Sequence, residues 1–127
     1  MECKVTIRAP VKPTENPDKV SEAITNVFPG IEPEIQEEMI TGQGGLEDLM
    51  ELREALEKRR IRSTARTVLL NNMRGNSTMM YINKQAALIG RVNVLEEPVS
   101  ALGDIMVKVR CDDITGFIDW LTPRIAD

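Results

Sequence analysis

Two stretches near the ends of the chain alternate strictly between apolar and polar side chains, and they limit the fold more than any other feature. Cys3, Val5, Ile7 and Ala9 alternate with Glu2, Lys4, Thr6 and Arg8; Ile105, Val107, Val109 and Cys111 alternate with Met106, Lys108 and Arg110. A period of two sends one set to each face of a strand, so each stretch is half-buried with one polar face. Such strands suit an antiparallel or mixed sheet covered on one side, not a parallel sheet buried on both.

Helices supply the cover. Val20, Ala23, Ile24, Val27 and Phe28 follow an Asn16 N-cap with Pro17 at the first helical position, and Pro29-Gly30 ends the run. Leu46, Leu49, Met50, Leu52 and Leu56 mark a helix over 46–60, and Ala65, Val68 and Leu69 a second over 63–72, either continuous with the first or kinked at Ile61-Arg62. Ile114, Phe117, Ile118 and Leu121 form the buried side of a last helix, capped by Asp112 or Asp113. Further strands are expected over 31–41, over 77–83 and at 92–95, with a helical turn or irregular crossing at 84–90. The fold class is α+β: a two-layer sandwich with a mostly antiparallel or mixed sheet of about four strands and helices on one face. At 127 residues the chain is read as one domain with a core that needs no staples. Cys3 and Cys111, far apart and without Cys or His neighbours, are expected as buried, inert thiols.

The charge is unevenly distributed. Residues 1–29 hold four bases and four acids, 30–57 one base and nine acids, 58–91 eight bases and no acid, and 92–127 three bases and seven acids. Positive charge is therefore gathered in one segment, which also holds Asn71, Asn72, Asn76, Ser77, Thr78, Asn83 and Gln85. A chain polarised in this way can attract a polyanion although its total is negative. The candidate RNA-binding residues are Arg59, Arg60, Arg62, Arg66, Asn83, Lys84, Gln85 and Arg91. Arginine forks and amide donors suit phosphate oxygens, and Ala86-Ala87 would let a backbone come close. Only Tyr81 in this segment is aromatic, so shape and backbone contacts to structured RNA are expected rather than base stacking. The bland alternative is a solvated face in which these cations end a helix or pair with glutamates.

Other chemistries have little to stand on. There is no histidine, which removes the commonest general base and the usual catalytic zinc ligand. Thr41 to Gly45 is expected as a loop but lacks the Gly-Lys-Ser/Thr of a phosphate loop, and Glu47 and Asp48 would repel an anion there. The acidic run Glu32, Glu34, Glu37 and Glu38 is read as a solvated strand face, not a metal site. No cofactor, metal or catalytic residue is expected, and neither a membrane span nor a signal peptide, so the cytoplasm is the expected compartment. The alternative function is a protein-interaction or assembly subunit, with a protein partner or a homodimer joined through complementary acidic and basic segments. An enzyme using Lys84 and the arginines to clamp a phosphorylated metabolite is the weakest reading.

Several longer pieces carry a family resemblance. Pro13-Thr14-Glu15-Asn16-Pro17-Asp18-Lys19-Val20, Phe28-Pro29-Gly30, Arg62-Ser63-Thr64-Ala65-Arg66-Thr67-Val68-Leu69-Leu70, Tyr81-Ile82-Asn83-Lys84-Gln85-Ala86-Ala87, Gly90-Arg91-Val92-Asn93 and Asp119-Trp120-Leu121-Thr122-Pro123-Arg124 resemble, in this order, an archaeal family of small proteins catalogued for RNA binding. The resemblance covers nearly the whole chain. It implies archaeal origin, an α+β fold similar to the fifth protein of the large ribosomal subunit, and no enzymatic activity. It carries over no functional residues.

Overall fold

The computed structural model describes residues 1–124. In chain order the elements are β1 (Cys3–Pro10), α1 (Pro17–Val27), β2 (Glu34–Ile35), β3 (Met39–Gly44), a 3-10 turn (Leu46–Leu49), α2 (Met50–Lys58), α3 (Arg62–Asn71), β4 (Ser77–Ile82), α4 (Lys84–Leu88), β5 (Val94–Leu95), β6 (Ile105–Cys111) and α5 (Ile114–Leu121). The strands form one sheet in the order β2-β3-β1-β6-β4-β5. Every pairing is antiparallel. The two alternating end stretches lie side by side as β1 and β6 at the centre of the sheet.

Alternation decides which face is covered. Val5, Ile7 and Ala9 of β1, Met80 and Ile82 of β4, and Ile105, Val107 and Val109 of β6 are buried, in one core with Ala23, Ile24, Phe28, Leu52, Leu56, Leu69, Phe117 and Ile118. Helix α3 lies against β4 and β5, α5 against β6, and α1 against α4 and β3. The caps follow local chemistry. The Asn16 side chain accepts from Asp18 N at 2.9 Å, and Asp113, not Asp112, caps α5 by accepting from Gly116 N at 3.0 Å.

Three expectations need correction, and one alternative is decided. The sheet has six strands rather than about four: the stretch 31–41, expected as one strand, gives β2 and the start of β3, and the strand expected at 92–95 pairs at the far edge as β5. Residues 41–44 belong to β3 and are not a loop. Glycine serves close approach there: a Cβ on Gly42 would stand 2.5 Å from Ile31 Cγ2. Of the two readings left open for 46–72 the broken one holds, the chain leaving the helix between α2 and α3 at Arg59–Ile61. Finally, Cys3 and Cys111 are joined by a disulfide. Their separation of 108 residues concealed that the β1–β6 register sets them directly opposite each other.

Candidate nucleic-acid interface

The fold disperses the basic segment. Arg59 and Arg60 are exposed at the end of α2. Arg60 N–H donates to Glu57 O at 3.1 Å and Ile61 N–H to Leu56 O at 3.0 Å, a Schellman ending in which Arg60, with φ 58°, holds the position usually given to glycine. Arg62 opens α3 half-buried, and its Nε is buried with no hydrogen-bond partner among the described residues. Arg66 turns inward. It donates to Asp119 Oδ1 at 2.7 Å and to Thr122 O at 2.9 Å, tying α3 to α5.

Residues 83–91 gather at α4, and two of them serve the fold. Asn83 caps α4, its side chain accepting from Ala86 N at 2.8 Å. Lys84 is only 4% exposed. Its ammonium donates to Pro10 O at 2.7 Å, to Leu102 O at 2.9 Å and to the Glu15 carboxylate at 2.9 and 3.1 Å. Three N–H donors already meet four acceptors, which leaves none for a phosphate, so the expected phosphate contact at Lys84 is replaced by a structural clamp. Gln85 and Arg91 are exposed beside it. Of the eight expected residues, Arg59, Arg60, Gln85 and Arg91 stand free at the surface, and they do so in two separate places.

A different basic surface lies on the uncovered face of the sheet. The register places Lys4 opposite Arg110, Thr6 opposite Lys108 and Arg8 opposite Met106. On the far side of β6, Ser77, Met79 and Tyr81 of β4 continue the same rows, and on the far side of β1, Gln43 and Thr41 of β3 do so. None of these side chains is buried. Lys4, Arg8, Lys108 and Arg110 thus project from two adjacent central strands, Lys108 and Arg110 about 7 Å apart along β6 and Lys4 and Arg8 about 13 Å apart along β1. Among the described residues none of the four forms an ion pair; the three pairs found are Lys19–Glu22, Arg66–Asp119 and Lys84–Glu15. Like charges directly opposite on a sheet weaken it, so Lys4 against Arg110 has a cost, which Glu2 and Asp112 beside them reduce without forming an ion pair among the described residues. Acids stay at the margins: Glu34 on edge strand β2, and Glu2 and Asp112 just beyond the ends of β1 and β6.

Half-buried Met79, Tyr81 and Met106 give this face an apolar floor beside the cations. The arrangement can hold an extended polyanion by charge. It offers no set of acid, base and nucleophile, and among the described residues no group of three or more His, Cys, Asp or Glu could hold a metal ion. Segment sums had concealed it, since residues 1–29 sum to zero and 92–127 are acidic. The usable signal was parity: Lys4 with Arg8, and Lys108 with Arg110, on the polar faces of their strands.

The molecule is thus an α+β protein with helices on one face of an antiparallel sheet and free cations on the other. The family model described as RNA binding matches residues 4–111, and the chain belongs to that family. It is 56% identical over 123 residues to the UPF0201 protein of Methanothermobacter thermautotrophicus, covering 97% of this chain and 93% of that one. A UPF0200/UPF0201 protein of Archaeoglobus fulgidus is 38% identical over 128 residues, matching 98% of this chain but 38% of that longer protein. The fold agrees with the crystal structure of a UPF0201 protein at a TM-score of 0.86 and 38% identity, covering 98% of this chain and 96% of that one. It also agrees with that of the UPF0201 protein from Methanococcus jannaschii at 0.82 and 36%, covering 97% and 95%. The archaeal resemblance expected from the sequence therefore holds. Among the described residues no helix is long and apolar enough to cross a membrane.

Proposed function

We propose that this protein is a non-enzymatic cytoplasmic RNA-binding module, and that structured RNA lies on the open face of its sheet. The observation that carries this reading is the set of four cations, Lys4, Arg8, Lys108 and Arg110, that share one uncovered surface and form no ion pair among the described residues. Unpaired and partly repelling cations are explained by a polyanion that neutralises them. The family's description supports the same reading. Arg59 and Arg60, with Arg91 and Gln85 beside α4, are secondary contacts for an RNA large enough to reach the helical layer.

The test is charge reversal. Lys108→Glu/Arg110→Glu is expected to weaken binding to a fluorescent stem-loop RNA at least tenfold at low salt, since two phosphate contacts are lost. Arg59→Glu/Arg60→Glu should weaken it less. If only the second pair mattered, the interface would belong to the helical layer.

One observation favours assembly with a protein as the second reading. Ile35 is 52% exposed on edge strand β2, among exposed Glu32, Glu34, Glu37 and Glu38, so an acidic edge stands near the basic face. Sedimentation that finds a monomer at every concentration and at low salt would remove its homo-oligomeric form.

A further inference from the structure

The open face ends in a cavity of about 320 Å³ whose lining includes Arg8, Met39, Tyr81, Pro98, Asp104 and Met106. Arg8, Met106 and Tyr81 form one row across β1, β6 and β4. Strand spacing sets Arg8 and Tyr81 about 10 Å apart, with Met106 as the floor between them. Asp104 stands immediately before β6 and is 3% exposed. Its Oδ2 accepts from Val99 N at 2.9 Å and Ser100 N at 3.1 Å, which fixes the plane of the carboxyl group. Its Oδ1 is buried with no hydrogen-bond partner among the described residues. Buried polar atoms are nearly always paired, so an acceptor left single in the wall of a cavity asks for a donor.

We propose that this cavity receives one unpaired nucleobase bearing an exocyclic amino group, held between Tyr81 and Asp104 with its phosphate at Arg8. The inference rests on the reading of the open face as an RNA surface and names what that surface selects. Each lining group has a part. Tyr81 offers a ring for stacking, the methionine and proline side chains give the base apolar walls, and Arg8 offers a fork to the phosphate. Asp104 supplies the choice. Adenine, cytosine and guanine present an exocyclic amino donor, whereas uracil's one Watson–Crick-edge donor, N3–H, is flanked on both sides by carbonyl oxygens that a carboxyl oxygen repels. Oδ1 is buried in the empty cavity, and the proposed base contacts it by displacing the Pro98 side of the lining. Unpaired bases in loops and bulges are the parts of structured RNA that can be turned out in this way.

The experiment uses the full chain and four stem-loop RNAs identical except for a single unpaired A, C, G or U, read by fluorescence anisotropy. The amino-bearing loops should bind about tenfold more tightly than the U loop, the scale of one charge-assisted hydrogen bond. In Asp104→Asn the amide oxygen can keep both backbone bonds while its NH2 takes the place of Oδ1, so the preference should turn toward U. Tyr81→Leu should weaken the amino-bearing loops about tenfold through lost stacking, and it carries the test if Asp104→Asn does not fold. Equal wild-type affinities for all four loops, a preference that folded Asp104→Asn leaves unchanged, or a Tyr81→Leu protein that binds like the wild type would overturn the pocket. In those cases salt-dependent RNA binding would leave the basic face standing. No binding to any loop would overturn both.

Discussion

Lys84 shows how a residue type can point to one use while its surroundings impose another. Its ammonium and the Glu15 carboxylate are both largely withdrawn from solvent, with side-chain exposures of 5% and 11%. Removing one partner of such a pair leaves the other charge buried alone. Lys84→Met is therefore expected to lower unfolding stability by about 3–5 kcal/mol in urea denaturation, and Glu15→Leu/Lys84→Met by much less. The RNA affinity of folded Lys84→Met should be unchanged, since no donor of Lys84 is free. Arg60 gives the opposite sign. It holds a left-handed backbone at φ 58°, so Arg60→Gly should stabilise the protein by about 1 kcal/mol, read as a higher urea midpoint. Lys4 combines both effects. Lys4→Thr relieves repulsion with Arg110 and should raise stability by about 0.5 kcal/mol while weakening RNA binding.

At the scale of elements, β1 and β6 carry the account. They contribute all four cations of the open face, and the disulfide from Cys3 to Cys111 joins them across 108 residues of chain. Closing so long a loop in the unfolded chain is worth about 4–5 kcal/mol in the chain-entropy model. Reductant should lower the stability of the wild type by about 3–5 kcal/mol in thermal or chemical unfolding and leave Cys3→Ser unaffected. The two strands were legible in the sequence because alternation is a local property. Their pairing was not, because register is set between segments, and with it went the disulfide and the basic face. The two-residue strand β2 is too short to show a period of its own, which is why 31–41 reads as one strand where β2 and β3 stand. The helices were legible through their apolar spacing, and the break after α2 was left open because a left-handed arginine gives no signal where glycine would. Lys84 was misplaced for a related reason: its acceptors lie on Pro10, Glu15 and Leu102, remote in sequence.

At the scale of the whole molecule, a chain of net charge −4 presents a cationic surface because pairing brings the four cations of β1 and β6 together and leaves the nearest acids at the margins of that face. Such a surface acts by releasing counterions from a polyanion, and that mechanism has a direct signature in salt. The decisive measurement is the affinity for a fluorescent stem-loop RNA across a salt series, for the wild type and for Lys108→Glu/Arg110→Glu. With four phosphates neutralised, log affinity should fall against log salt with a slope of about −3 to −4, and the double substitution should bring it to about −1 to −2. A slope that stays the same in the double substitution, or a wild-type protein that binds no RNA at low salt, would contradict the account.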